Sequence, residues 1–139
     1  MAEDTSAWRE RRREAAVAHA DALAARQRAE SDRARALILA FLDDARAAGV
    51  APEPLHARSY DGRARFRTPL HGWYLRRDRT VAVGTDGEFY VLTAPSSLAA
   101  RLRGVQPAPQ EPPLVIGAGG KDGESIDMAD ALARVLAGG

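Results

Sequence analysis

The stretch from Gly72 to Pro95, GWYLRRDRTVAVGTDGEFYVLTAP, decides the fold. Short runs of β-branched, aromatic and aliphatic residues alternate here with turn signals, a pattern typical of a three-stranded antiparallel meander. Asp86-Gly87 is the strongest of these signals, because both central residues of a type I′ hairpin turn need positive φ. The sequence therefore predicts a two-residue loop at Asp86-Gly87.

The predicted loops fix which residues are neighbours across the strands. The first loop places Gly84 opposite Phe89. A second two-residue turn at Asp78-Arg79, a weaker turn pair, places Trp73 over Gly84, where an aromatic ring covering a glycine pins the register. Both faces of this sheet are mostly apolar, so each needs cover from the chain's own helices or from a partner.

The N-terminal part of the chain is predicted to be helical from about Asp4 to Ala48, since it is rich in Ala, Arg, Glu and Leu and lacks Gly and Pro. Its second half carries a broad apolar stripe at helical spacing, which we expect to pack on the sheet. Its first half carries five small residues at heptad-like spacing, here named the alanine seam: Ala15, Ala18, Ala22, Ala25 and Ala29. Small residues let two helices approach closely, although each buries little area.

Two arrangements of this helix remain open. It continues as one long helix or two nearly collinear ones, or it folds back as a hairpin near Ser31, which can act as a second N-cap. We expect the extended form, with a coiled-coil-like N-terminal half used for association. The chain then divides into an Ala/Arg-rich helical extension at 1–33 and an α+β domain at 34–139.

The remaining segments complete the domain around a meander at 72–94. A turn at Asp61-Gly62 is expected to add an edge strand or two ahead of it. After it, Ser97 begins a short helix, residues 106–113 form an extended, exposed proline-rich linker, and a short strand precedes a C-terminal helix at about 127–137, capped by Asp127.

The predicted fold class is α+β. It consists of a long N-terminal helix packed on a three- to five-stranded antiparallel meander, with short helices after the meander and a C-terminal helix. The length of 139 residues suits one modest core.

Positive charge is concentrated in the middle of the chain, although the net charge is only +1. Residues 51–79 contain three acidic side chains and seven arginines: Arg58, Arg63, Arg65, Arg67, Arg76, Arg77 and Arg79. Alternating arginines on an extended strand project from one face, and Tyr60 or Tyr74 can supply a stacking surface beside them. This pattern predicts, as an alternative function, nucleic-acid or phosphate-ligand binding through residues 58–79.

Catalytic and metal chemistry find little support in the sequence. The glycine cluster Gly117-Ala118-Gly119-Gly120-Lys121 lacks the spacing and the Ser or Thr of a phosphate-binding loop. The three histidines, His19, His56 and His71, have no ligand spacing, and the chain contains no cysteine. We therefore expect neither an enzyme nor a cofactor. A small-molecule pocket near Trp73 and Tyr90 is a third possibility, but no cluster of polar residues supports it.

Taken together, the sequence predicts a small cytoplasmic interaction or adapter protein that associates through its N-terminal helix and an apolar sheet face. Self-association as a homodimer, or binding to another protein, is expected. No apolar run spans a membrane, no signal peptide is visible, and abundant arginine and alanine indicate a bacterium with GC-rich codons. The predicted interaction residues are the alanine seam together with Trp8, Tyr74 and Tyr90.

Overall fold

The computed structural model describes residues 2–117 and 124–138 and begins with one long helix. This helix, α1 (Ala2–Ala48), has 47 residues and ends at Gly49, whose φ is +72°. Its length is about 70 Å at the α-helical rise per residue. The helix passes through Ser31 without interruption, so the folded-back hairpin is not formed.

The rest of the chain confirms the α+β class. Five strands form one mostly antiparallel sheet in the order β4-β3-β2-β1-β5, and two further strands form a small second sheet. The strands are β1 (Glu53–Ser59), β2 (Arg65–Tyr74), β3 (Val81–Gly84), β4 (Phe89–Val91), β5 (Thr93–Ala94), β6 (Val115–Ile116) and β7 (Ile126–Asp127). The later helices are α2 (Leu98–Arg103) and α3 (Met128–Leu136).

The main sheet closes on itself at Leu92. The two outer strands in the order, β4 and β5, are separated in sequence by this residue alone. The Leu92 N–H donates to the Thr80 carbonyl at 2.7 Å, and its carbonyl accepts from the Arg58 N–H at 2.8 Å. One extended segment therefore pairs with β3 at its start and, in parallel, with β1 at its end. The result is a small barrel.

The loop between β3 and β4 differs from the prediction by one residue. The Gly84 N–H donates to the Glu88 carbonyl at 3.0 Å, so the loop holds three residues instead of two. Gly87 has a φ of +80°, whereas Asp86 is not among the residues with positive φ. A type I turn followed by a left-handed glycine explains this loop. Phe89 consequently lies opposite Val83, and the predicted pairing of Gly84 with Phe89 is wrong.

The loop between β2 and β3 is also longer than predicted. The Leu75 N–H donates to the Val81 carbonyl at 2.9 Å, so five residues connect the strands, with Arg79 at a φ of 61°. Trp73 lies opposite Val83, and the glycine that faces Gly84 is Gly72. The predicted placement of Trp73 over Gly84 is therefore wrong, because the register depended on a two-residue turn.

The two faces of the sheet support two separate apolar clusters. Outside the barrel, α1 and α3 pack on β2, β3 and β4. Phe41 meets Trp73 edge to face with ring centroids 5.1 Å apart, and the Trp73 indole N–H donates to the Val50 carbonyl at 3.1 Å. The inner cluster draws on β1, β2, β3 and β4 and is covered by Ala100 of α2; its members are Leu55, Ala57, Phe66, Ala82, Tyr90, Leu92 and Ala100.

Three smaller expectations have mixed outcomes. The turn at Asp61-Gly62 forms, and Ser59 Oγ donates to the Asp61 carboxylate at 2.6 Å within it. The strand before this turn, β1, is not an edge strand, because it pairs with β2 on one side and with β5 on the other. The linker is not simply exposed, because Gln110 pairs with β4 and Pro112 is buried. Asp127 precedes α3 as predicted, but its side chain makes no capping hydrogen bond.

Close approach of two backbones makes Gly72 a test of the observed register. A Cβ at this position would lie 2.0 Å from the Val83 carbonyl oxygen. Gly72→Ala is expected to lower the free energy of unfolding by about 3 kcal/mol, because the paired backbones must separate. Urea unfolding measures this change, with Gly117→Ala as the control because, apart from its chain neighbours, no described atom lies within 4 Å of its added Cβ. Equal stability of the two variants would contradict the register.

Candidate association surface

The N-terminal half of α1 extends beyond the rest of the chain. From Asp4 to Arg33 no side chain is buried, and Ala34 is the first buried residue of the helix. Residues 4–33 are about 45 Å long and are here named the free half of α1, in the sense only that none of their side chains is buried against the domain. It exposes three large apolar side chains: Trp8 (51%), Val17 (56%) and Leu23 (45%).

The alanine seam lies on the side of α1 opposite the domain. The domain covers one stripe of the second half of the helix, which includes Ala34, Ile38 and Ala45. Since an α-helix turns by about 100° per residue, Ala29 lies roughly 180° around the axis from Ile38. All five seam residues are exposed. The seam is therefore open along its length and free of the domain.

Leu39 continues the heptad spacing of the seam but was not predicted as a site residue. It lies two heptads after Ala25 and is 55% exposed, in the half of α1 that buries one stripe of residues against the domain. The sequence already indicated that Leu39 is exposed, because Leu39 falls outside the helical stripe formed by Ile38 and Phe41. Inclusion of Leu39 extends the heptad spacing into the second half of the helix, where its Cδ2 atom would lie 3.6 Å from a Cβ added at Gly87 of the β3–β4 loop.

Trp8 lies one heptad before Ala15, so it continues the seam toward the N-terminus. The Arg12 guanidinium lies over its ring, 4.7 Å from the centroid, and covers one face of the indole. Half of the Trp8 surface remains open. A large aromatic side chain at one end of an exposed seam is a strong candidate for a contact with a partner.

The two tyrosines predicted as interaction residues lie elsewhere, within the domain's own packing. Tyr90 is buried in the inner cluster, and its hydroxyl donates to the Asp86 carboxylate at 2.5 Å. Burial, together with the hydrogen bond and charge of Asp86, raises the pKa of Tyr90 to about 12. The Tyr74 hydroxyl accepts a hydrogen bond from the backbone N–H of His56 at 2.7 Å. The structure thus does not bring these tyrosines together with Trp8 or the seam.

The predicted arginine group is divided between two places. Arg58 and Arg65 are cross-strand partners on β1 and β2, and Arg63 lies in the exposed turn between these strands. Arg67 follows on β2 and donates to the Leu102 carbonyl at 2.8 Å. Beside it, an open groove of about 590 Å³ also includes Arg103, which the prediction missed.

The other three arginines belong to the β2–β3 loop. The Arg76 side chain is only 11% exposed and donates to the carbonyls of Gly117 and Glu124 at 2.8 and 3.1 Å. Its contacts are therefore structural. Arg77 is exposed, and the Arg79 guanidinium lies 5.3 Å from the centre of the Tyr74 ring.

His56 links the two groups of arginines. Burial, followed by the positive charges of Arg65 and Arg79, lowers the pKa of this histidine below its ordinary value, and Glu53 partly opposes the effect. Arginines from the β1–β2 hairpin and from the β2–β3 loop therefore act on one half-buried side chain. The surface around His56 is positive, with the Tyr74 ring beside it.

Among the described residues, neither the predicted small-molecule pocket nor a metal site finds support. A mostly apolar cavity of about 380 Å³ lies where α1 ends beside Trp73, but Tyr90 does not line it and it has no cluster of titratable groups. Within residues 2–117 and 124–138, no group of three or more His, Asp or Glu side chains could hold a metal ion. Most of the glycine cluster, residues 118–121, lies outside the described residues.

Comparisons with known proteins assign neither a family nor a function to the chain. No protein-family model, no curated protein and no solved structure matches the chain. Among the helices that the structure describes, none combines the length and apolar character needed to cross a membrane.

Proposed function

We propose that the protein is a small protein–protein interaction or adapter protein, and that the free half of α1 is its association element. The observation that carries this proposal is the long exposed helix, with its alanine seam open and with Trp8 and Leu39 exposed at the two ends of the same heptad spacing. The apolar sheet face contributes less than the sequence suggested, because the chain covers it with its own inner cluster and α2.

Helix energetics support association. Most helices in proteins are stabilised by packing of an apolar face, whereas an isolated helix in water is only marginally stable. The free half of α1 has no buried face, and the ion pair between Arg13 and Glu10, at 3.2 Å, is an exposed contact of small value. A partner packed along the seam would supply the missing burial.

The proposal includes no catalytic chemistry and no cofactor. It places the protein in the cytoplasm of a bacterium, because the chain has no cysteine and its arginine- and alanine-rich composition is typical of GC-rich codon usage. Homodimerisation is the simplest form of the association, since the seam is a surface that every copy of the chain carries.

Removal of residues 1–30 tests the association directly. Size exclusion with light scattering is expected to give a dimer for the full chain and a monomer for the truncated chain. Thermal unfolding of the domain is expected to change little, because the removed side chains from residue 4 on are not buried against it. A full-length monomer, or a dimer that survives truncation, would contradict the proposal.

A second candidate function is binding of a polyanion, such as single-stranded nucleic acid, to the surface around His56. The convergence of Arg65 and Arg79 on this histidine, with the Tyr74 ring beside it, favours this candidate. Phosphates would pair with the arginines, and a base would stack on an aromatic ring.

The His56 pKa reports such binding. The two arginine charges disfavour protonation of His56, so a bound polyanion that neutralises them is expected to raise its pKa toward 6.5. NMR titration with a single-stranded oligonucleotide, at low and high salt, measures the shift, and the effect should weaken as salt rises. Arg65→Gln should itself raise the pKa and reduce the response. An unchanged His56 pKa at low salt would exclude this candidate.

A further inference from the structure

We infer that the partner of α1 is a second copy of the chain, bound antiparallel along a seam that runs from Trp8 to Leu39. This inference rests on the proposed function and adds the partner, its direction and its register. The extended seam is the set of exposed a and d positions of one heptad frame on α1: Trp8, Arg11, Ala15, Ala18, Ala22, Ala25, Ala29, Asp32, Ala36 and Leu39.

The spacing of the extended seam fits a two-stranded coiled coil. Alternating steps of three and four residues keep one stripe of the helix facing a partner when the two helices supercoil. The stripe spans about 46 Å between Trp8 and Leu39. Its alanine centre allows the helix axes to approach to about 8 Å, the lower end of the usual range.

The charged residues of the seam favour the antiparallel direction. In a parallel pair each layer joins identical residues, so Arg11 would face Arg11 and Asp32 would face Asp32 across the interface. In an antiparallel pair centred between Ala22 and Ala25, Arg11 lies opposite Ala36 of the second copy and Asp32 lies opposite Ala15. The like charges separate, and Arg11 and Asp32 of different copies come within one helical turn of each other.

The same register joins the two large apolar residues of the seam. Trp8 of each copy lies opposite Leu39 of the other, so both ends of the interface bury an aromatic and an aliphatic side chain. Burial of large apolar side chains is the main favourable contribution to such an association. These two symmetric contacts supply the area that the alanine centre lacks, and they would cover the exposed Leu39 side chain.

Flanking charges agree with this register on one side of the interface. Asp21 lies beside Arg28 of the second copy, and the two-fold symmetry repeats the pair. On the other side Arg12 approaches Arg33 of the second copy, which is an unfavourable pair. In this arrangement the two domains stand at opposite ends of the helix pair, and each packs on the Ile38 side of its own α1, with its β3–β4 loop bordering Leu39.

Single-cysteine variants of the full chain test the direction and register, because the natural chain contains no cysteine. In the antiparallel register Ala18 lies opposite Ala29 of the second copy. Mild oxidation of mixed Ala18→Cys and Ala29→Cys proteins is therefore expected to give a disulfide between the two variants, whereas neither variant alone cross-links efficiently. Efficient cross-linking of each variant to itself would show a parallel pair and overturn the inference, while the proposed association would stand.

Matched pairs of glutamine substitutions locate the interface. Ala22→Gln with Ala25→Gln enlarges the seam, whereas Ala20→Gln with Ala24→Gln makes the same chemical change on the opposite side of α1. The seam pair is expected to raise the dimer dissociation constant at least tenfold in sedimentation experiments, and the control pair is expected to leave it unchanged. Circular dichroism of both variants checks that the helix persists. A stronger effect of the control pair would place the interface on the side of Leu23 and overturn the inference.

Discussion

The edge-to-face contact between Phe41 and Trp73 joins the helix to the barrel, and the direction of α1 depends on it. Trp73 is held by its place on β2 and by the hydrogen bond from its indole N–H to the Val50 carbonyl. Ile38 and Ala45 bury the same side of the helix on either side of Phe41. Because α1 is one continuous helix, these contacts also fix which side of its free half points away from the domain. The anchoring of the second half thereby exposes the alanine seam.

The large features of the fold could be predicted from the sequence, and the register could not. Helix-forming composition between Asp4 and Ala48 and the stop at Gly49 act locally, so they indicated α1 correctly. The register of the meander depended on loop length, and Asp86-Gly87 fits both a two-residue loop and the last two positions of a three-residue loop. A slip of one residue exchanges the faces of a strand, which is why the predicted neighbours of Gly84 were wrong. Closure of the sheet at Leu92 depends on pairing with β1, more than thirty residues earlier.

The same reason explains why the exposure of the alanine seam could be predicted from the sequence, whereas the positions of the arginines and tyrosines could not. The alanine seam follows from helical spacing alone, and the structure leaves it exposed. The arginine segment was predicted as one group, but its members separate, because Arg76 turns toward the carbonyls of Gly117 and Glu124 while Arg65 lies on β2. The tyrosines were assigned to an open sheet face, whereas closure of the barrel buries Tyr90. Helical patterns are local, and the surfaces of a barrel depend on distant strands.

Hydrogen exchange of α1 at low and high protein concentration is the most direct measurement of the central claim, that the alanine seam is covered in solution. A free helix without tertiary contacts exchanges its amides quickly, whereas a paired helix is protected by the stability of the pair. The account predicts protection of amides between residues 8 and 33 that increases with protein concentration, while the amides of β2 and β3 remain protected at both concentrations. Rapid exchange of the free half of α1 at both concentrations would contradict it.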